Sequence, residues 1–197
     1  MLDNLKKYHV ILASNSPRRK ELLGGLGVDY EVKTLQGIDE SYPDTLQGEE
    51  IPIYISREKA QAYLEIMKDN DLIITADTIV WLEGKVLGKP ADEAEAVQML
   101  RALSGKKHQV ITGVTLTTTA FQRSFAVTSD VEFAILTDEE ITYYVANYPP
   151  LDKAGAYGVQ EWIGFIGVRN LVGSYFNERC SPHLSTQFRH SCRSVGK

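Results

Sequence analysis

The sequence predicts an α/β protein: a mixed, twisted sheet with helices packed on it. Two observations carry that expectation. Apolar β-like runs alternate with helical periodicity through the first half of the chain, and two long Thr- and Val-rich stretches, 108–119 and 124–136, then follow each other as a meander. No internal repeat and no low-complexity linker interrupts the 197 residues, a length that suits one domain or two small lobes sharing a core.

The elements follow in order. Residues 8–13, "YHVILA", read as a strand, and Ser16-Pro17 then has the form of an N-cap with proline at the first helical position. That helix should run from Pro17 to about Leu26 and close on the glycines at 24, 25 and 27. "VDYEVKTL" alternates like a second strand. Beyond a loop rich in Pro, Gly and Asp, 50–68 reads as a helix with Ile53, Ala60, Leu64 and Met67 on one face. "LIITAD", 72–77, is the clearest buried strand, and "TIVWLEGKVLG" should form a hairpin turning at Glu83-Gly84. A second amphipathic helix is expected over 91–103, ending at Ser104-Gly105. Thr137 followed by Glu140 has the spacing of a capping box. The last strand-like runs are 162–168 and 171–176.

Composition narrows the function classes. A net charge of −5 argues against a general binder of nucleic acid or anionic membrane, because affinity for a polyanion comes largely from Lys and Arg. Any anion bound here must be held locally. No apolar run approaches the roughly 20 residues that span a bilayer, and "MLDNLKKYHV" lacks a signal-peptide pattern. Both cysteines, Cys180 and Cys192, lie near the C-terminus, so no thiol framework supports the body. A cytoplasmic location is expected.

Several charged groups stand where chemistry is done. The first turn of a helix favours anions, and Arg18 and Arg19 sit in that turn behind the hydroxyls of Ser14 and Ser16. The same pattern also fits a capped helix whose arginines pair with surface carboxylates. No Walker pattern and no GxGxxG occurs. Arg57 falls within the apolar stripe expected for the 50–68 helix, where a cation needs a partner or a ligand, and Lys59 flanks it. Asp77 ends "LIITAD", at the carboxyl end of a buried strand, where open α/β sheets place ligands; a turn aspartate is the alternative. Glu40 and Lys89 read alone as loop residues. His108 reads as structural rather than as a base.

Taken together, "LASNSPRR", "DE", "REKA", "ADT", "LGKP", "LSGKKHQVITGV" and "LDKAGAYGVQ" closely resemble the Maf family of nucleoside triphosphate pyrophosphatases, in the family's order and spacing. The resemblance implies a fold like that of the inosine triphosphate pyrophosphatases, with two lobes around an elongated cleft. It implies hydrolysis of a nucleoside triphosphate to monophosphate and pyrophosphate with a divalent metal, usually Mg²⁺, with Mn²⁺ as the substitute. By position, Asp77 matches the general base and, with Glu40, the metal ligands. Arg18, Thr78 and Gln160 match positions of substrate choice. Ser14, Arg19, Lys59 and Lys89 match the lining of the substrate site, and Lys153 belongs to the adjoining "DKAG" motif. One subgroup, reading "SPRR", "ADT" and "DKAGAYGxQ", acts on dTTP and UTP; another, with different residues at those three positions, prefers 7-methyl-GTP. This chain matches the first. The family resemblance also suggests a homodimer. A nucleotide-binding regulator of cell division and septum formation, with little turnover, is the alternative reading.

Residues 1–177 are expected to form one functional unit, and 178–197 an atypical tail read as disordered or artefactual. The tail's Cys180, His183, His190 and Cys192 match no common zinc spacing.

Overall fold

The computed structural model describes residues 3–178; the tail from residue 179 on lies outside the described residues, and the expectations placed on it with it. Seven strands and six helices are found among them, with short 3₁₀ turns at Asp3–Leu5 and Ala154–Ala156. In chain order they are β1 (His9–Leu12), α1 (Pro17–Gly24), β2 (Glu31–Val32), α2 (Glu50–Gln61), β3 (Asp71–Leu82) and β4 (Lys85–Leu87). There follow α3 (Glu93–Leu103), β5 (Lys107–Thr117), β6 (Gln122–Phe133), α4 (Asp138–Asn147), α5 (Trp162–Gly167), β7 (Val168–Val172) and α6 (Tyr175–Glu178).

The sheet is mixed, as its alternation predicted. Its strand order is β2-β1-β3-β5-β6-β7, with β4 paired to β3. β1 runs parallel to both β2 and β3, while β3–β4 and β6–β7 are antiparallel. The predicted hairpin turns at Glu83-Gly84 with positive φ at both residues, 50° and 83°, which matches the twist of a two-residue connection.

The chain forms two compact units. The first runs up to Asp77 and takes in Thr112–Val127. Its core joins Val10, Leu12, Leu72 and Ile74 to Val114 and Leu116. α2 packs on it at the closest range backbone allows: a Cβ at Gly113 would lie 2.3 Å from the carbonyl carbon and oxygen of Pro52. Three buried hydroxyls set the register there. Thr75 Oγ1 donates to the Ser56 carbonyl at 2.7 Å, and Ser56 Oγ shares a bond of 2.8 Å with Thr115 Oγ1. The second unit comprises Thr78–Ile111 and the described residues from Thr128 on, built on Leu100, Leu103, Phe133, Ile141 and Tyr144.

Several sequence expectations need correction. The 50–68 helix stops at Gln61, and three-residue turns such as Tyr63 N–H to Ala60 O replace its ladder. Its buried face is Ile51, Ile55, Ser56 and Ala60; Leu64 is 39% exposed, so the stripe drawn through Leu64 does not exist. Arg57 is accordingly exposed, and its Nε donates to Ser124 Oγ at 2.8 Å. The strand expected from "VDYEVKTL" shrinks to two residues: after the Lys33 N–H meets the Leu12 carbonyl, the Tyr63 hydroxyl donates to the Lys33 carbonyl and accepts the Leu35 N–H. Residues 162–167 are a helix rather than a strand: Ile163 and Gly167, four apart, are buried while Phe165 between them is 82% exposed. The run 171–176 divides between the end of β7 and the start of α6. Asp77 does not end its strand, since β3 continues to Leu82.

Candidate functional site

The first unit holds six of the candidate site residues: Ser14, Arg18, Arg19, Glu40, Lys59 and Asp77. Ser16 takes the N-cap position of α1 with Pro17 next, but its hydroxyl makes no cap bond. That hydroxyl is buried without a hydrogen-bond partner. Ser14 Oγ instead organises the loop, accepting from Ser16 N–H at 3.2 Å and from Arg19 Nη1 at 3.3 Å. The same Arg19 Nη1 donates to the Ala76 carbonyl at 3.0 Å, which hangs the guanidinium on β3 one residue before Asp77. Ala76 was not a candidate from sequence, because a carbonyl carries no residue signature.

From α2, Lys59 reaches two carboxylates. Its Nζ lies 2.7 Å from Asp77 Oδ1 and 3.0 Å from Glu40 Oε1. Lys59 and Asp77 are nearly withdrawn from water, with side chains 13% and 14% exposed, whereas Glu40 is open at 54%. The Lys59–Asp77 pair, withdrawn from water, is costly to break by removing one partner, whereas the contact with the open Glu40 is worth little by itself. Arg18 is half-buried in the same first turn as Arg19.

The second unit holds the rest. Thr78 is half-buried directly after Asp77 in the chain, and Lys89 is exposed between Gly88 and Pro90. The Gly88 carbonyl accepts from Gly155 N–H at 2.9 Å, tying the Lys89 loop to the "DKAG" loop. Lys153 is buried, and its Nζ meets Asp152 Oδ1 at 2.9 Å, Glu161 Oε1 at 3.1 Å and the Pro149 carbonyl at 3.3 Å. Tyr144 donates its hydroxyl to Glu161 Oε2 and accepts Gly158 N–H at 3.1 Å. Burial, followed by the bond to Glu161 and its charge, raises the Tyr144 hydroxyl well above the ordinary phenol range. Gln160 is half-buried, with its Oε1 buried and without a partner. Neither Tyr144 nor Glu161 was singled out in the sequence. Neither carries a signal of its own in the chain, because their pairing joins α4 to the loop after Gly158 across 17 residues.

His108 is structural, as its sequence position suggested. It is 3% exposed, shares a 2.8 Å bond with the Tyr157 hydroxyl, and meets Phe133 and Tyr157 edge-on. Burial pushes its pKa down to about 4.

No cluster of three or more His, Cys, Asp or Glu able to hold a metal occurs among the described residues. Glu40 and Asp77 nevertheless converge on one ammonium, so two carboxylates are available at one place. That donor set fits Mg²⁺, which ordinarily takes one or two carboxylates and fills its other positions with phosphate oxygens and water.

A mixed sheet flanked by helices, with Lys59 bonded to Asp77 and Glu40 and with Arg19 hung on the strand one residue before Asp77, defines an α/β protein with a charged candidate site. The chain belongs to the Maf family: the family model for Maf-like proteins matches residues 9–177. A dTTP/UTP pyrophosphatase of Bacteroides thetaiotaomicron is 68% identical over 177 residues, spanning 90% of this chain and 92% of its own. One of Bacteroides fragilis is 66% identical over the same shares, and one of Porphyromonas gingivalis 52% identical over 93% of this chain and 94% of its own. Among solved structures, a HAM1 protein from Coxiella burnetii aligns at 16% identity and a TM-score of 0.43, over 64% of this chain and 73% of that one.

Proposed function

We propose that this chain is a nucleoside triphosphate pyrophosphatase that hydrolyses dTTP and UTP to the nucleoside monophosphate and pyrophosphate. The observation that carries the reading is the Lys59 ammonium bonded to both Asp77 and Glu40 in the unit that also holds Arg19 and Ser14. The activity named for relatives 66% and 68% identical over 177 residues supports the same reading. Attack at the α-phosphorus needs an oriented water, charge compensation along the triphosphate and a stabilised leaving group. Asp77 is the base that orients and deprotonates the water, with Lys59 fixing the carboxylate's position. Ser14, Arg18, Arg19 and Lys89 supply donors to phosphate oxygens. Glu40 and Asp77 would hold the divalent cation, Mg²⁺ or Mn²⁺, which neutralises phosphate charge when bound.

Gln160 reads the base, with Thr78 contributing to substrate choice. Uracil and thymine present an N–H donor beside carbonyl acceptors, and a glutamine amide complements both. The partnerless Gln160 Oε1 is the acceptor this requires. Nothing in that pattern senses the 5-methyl group, so both nucleotides are substrates. The inosine triphosphate pyrophosphatase-like arrangement of two lobes about a cleft, a homodimer and a cytoplasmic location are proposed with it, on the family resemblance. No helix among the described residues is long and apolar enough to cross a membrane.

Pyrophosphate release from dTTP, UTP, CTP, GTP and 7-methyl-GTP, with Mg²⁺ and with EDTA, tests the reading. Metal-dependent turnover of dTTP and UTP is expected. Tight binding of both without turnover would favour the alternative, a nucleotide-binding regulator of cell division.

A further inference from the structure

We infer that Lys153, Glu161 and Tyr144 form a positioning frame for Gln160, and that Lys153 serves base selection through that frame rather than by holding phosphate. The inference rests on the reading above, in which Gln160 meets the pyrimidine.

An ammonium has three N–H donors. Those of Lys153 are all engaged, by the Pro149 carbonyl and by the carboxylates of Asp152 and Glu161, on a side chain 7% exposed. A phosphate could be bound only by breaking one of these bonds inside the protein. Glu161 passes the constraint on: with one oxygen on Lys153, it gives the other to the Tyr144 hydroxyl, which in turn accepts Gly158 N–H. Tyr144 itself is fully buried on α4, so the frame is anchored in the core of its unit.

The loop between these anchors is held in a conformation it would not adopt freely. Ala156 sits at φ +61°, in the left-handed region where an L-residue's Cβ crowds the carbonyl oxygen that follows it. The Glu161 N–H returns to the Gly158 carbonyl at 2.9 Å. A Cβ at Gly158 would lie 2.9 Å from Gln160 Nε2 and 3.0 Å from the Glu161 carboxyl carbon, so the glycine lets the chain close over both side chains. Gln160 thus stands on a loop pinned on both sides, its amide closed against Gly158, and the frame sets the direction in which the loop presents that amide. Selectivity between bases that differ in donor and acceptor pattern depends on that direction, because a mobile amide accommodates either pattern.

The two roles for Lys153 separate experimentally. Steady-state kinetics with UTP and CTP would be compared for the wild type, Tyr144→Phe, Glu161→Gln and Lys153→Met, each checked for a cooperative thermal melt. The frame predicts that every variant narrows the UTP-over-CTP ratio of kcat/KM by about tenfold or more, chiefly through UTP. It also predicts that Lys153→Met leaves KM for CTP within about threefold of wild type. Equal losses for both nucleotides in Lys153→Met, as expected of a lost phosphate contact, would overturn the inference, as would an unchanged ratio in Tyr144→Phe. If Tyr144→Phe does not fold, Glu161→Gln decides, because it keeps the side-chain volume while removing the charge facing Lys153. A wild-type protein with no preference for UTP would instead remove the functional reading, before any variant is compared.

Discussion

Lys59 Nζ stands 2.7 Å from Asp77 Oδ1, and the two side chains come from α2 and β3, eighteen residues apart in the chain. Their meeting depends on the hydroxyl seam three residues back along the helix and two back along the strand, where Ser56 and Thr75 bond. Replacing Lys59 with Met leaves two carboxylates without their shared cation, and Asp77→Asn removes the base while keeping its shape. Each change is expected to lower kcat by about 10²–10⁴-fold, the usual worth of a positioned acid–base group. Pyrophosphate release under saturating UTP measures it. Full turnover by Asp77→Asn would exclude Asp77 as the base.

Gly113→Ala is the sharpest packing test. Its Cβ would enter the Pro52 carbonyl, at 2.3 Å, and backbone cannot swing aside as a side chain can. A loss of about 2–3 kcal/mol is expected, as for overpacked cores. Denaturant titration would read it as a lower midpoint; an unchanged midpoint would mean that α2 does not rest on β5 at this point.

The stability of the second unit should depend on pH through His108. Burial holds its folded pKa down at about 4, against 6.5 for the free side chain. Between those values the unfolded chain takes up a proton that the folded chain refuses. Stability is therefore fully present above about 6.5 and falls as pH drops toward about 4, by a total on the order of 3 kcal/mol. Urea melts across that window should show the decline in the wild type, and a shallower one in His108→Gln.

Gln160→Glu addresses the base. A carboxylate cannot donate to the carbonyl at position 4 of uracil or thymine, so kcat/KM for UTP and dTTP should fall roughly 10–100-fold, with pyrimidine preference eroded. Unchanged dTTP kinetics would count against direct readout by this side chain.

How much of this was legible beforehand varies by residue. The capping box at Thr137 and Glu140 forms as its spacing predicts, because both partners lie within one helical turn. The Glu83-Gly84 hairpin forms for the same reason. Where a segment was short and apolar on all sides, as in "WIGFIG", periodicity could not tell strand from helix, and the contact of Gly164 with Val159 and the burial of Ile163 and Gly167 decided it. Likewise Arg57 looked inward because it falls between Ile53 and Ala60 in the expected stripe, whereas the helix buries Ile51, Ile55, Ser56 and Ala60 instead.

The sequence by itself determined the local chemistry: which side chains carry charge, where turns and caps fall, and the ordered motifs that mark the Maf family. Only the tertiary structure decided which charges meet. Lys59 shares its ammonium between Glu40 and Asp77, and Lys153 spends its three donors on Pro149, Asp152 and Glu161. Two lysines that read alike in the chain thus end in different states. The reason is physical: a pairing between residues distant in sequence is set by how helix and strand surfaces pack, and the spacing of letters along the chain carries no record of that distance.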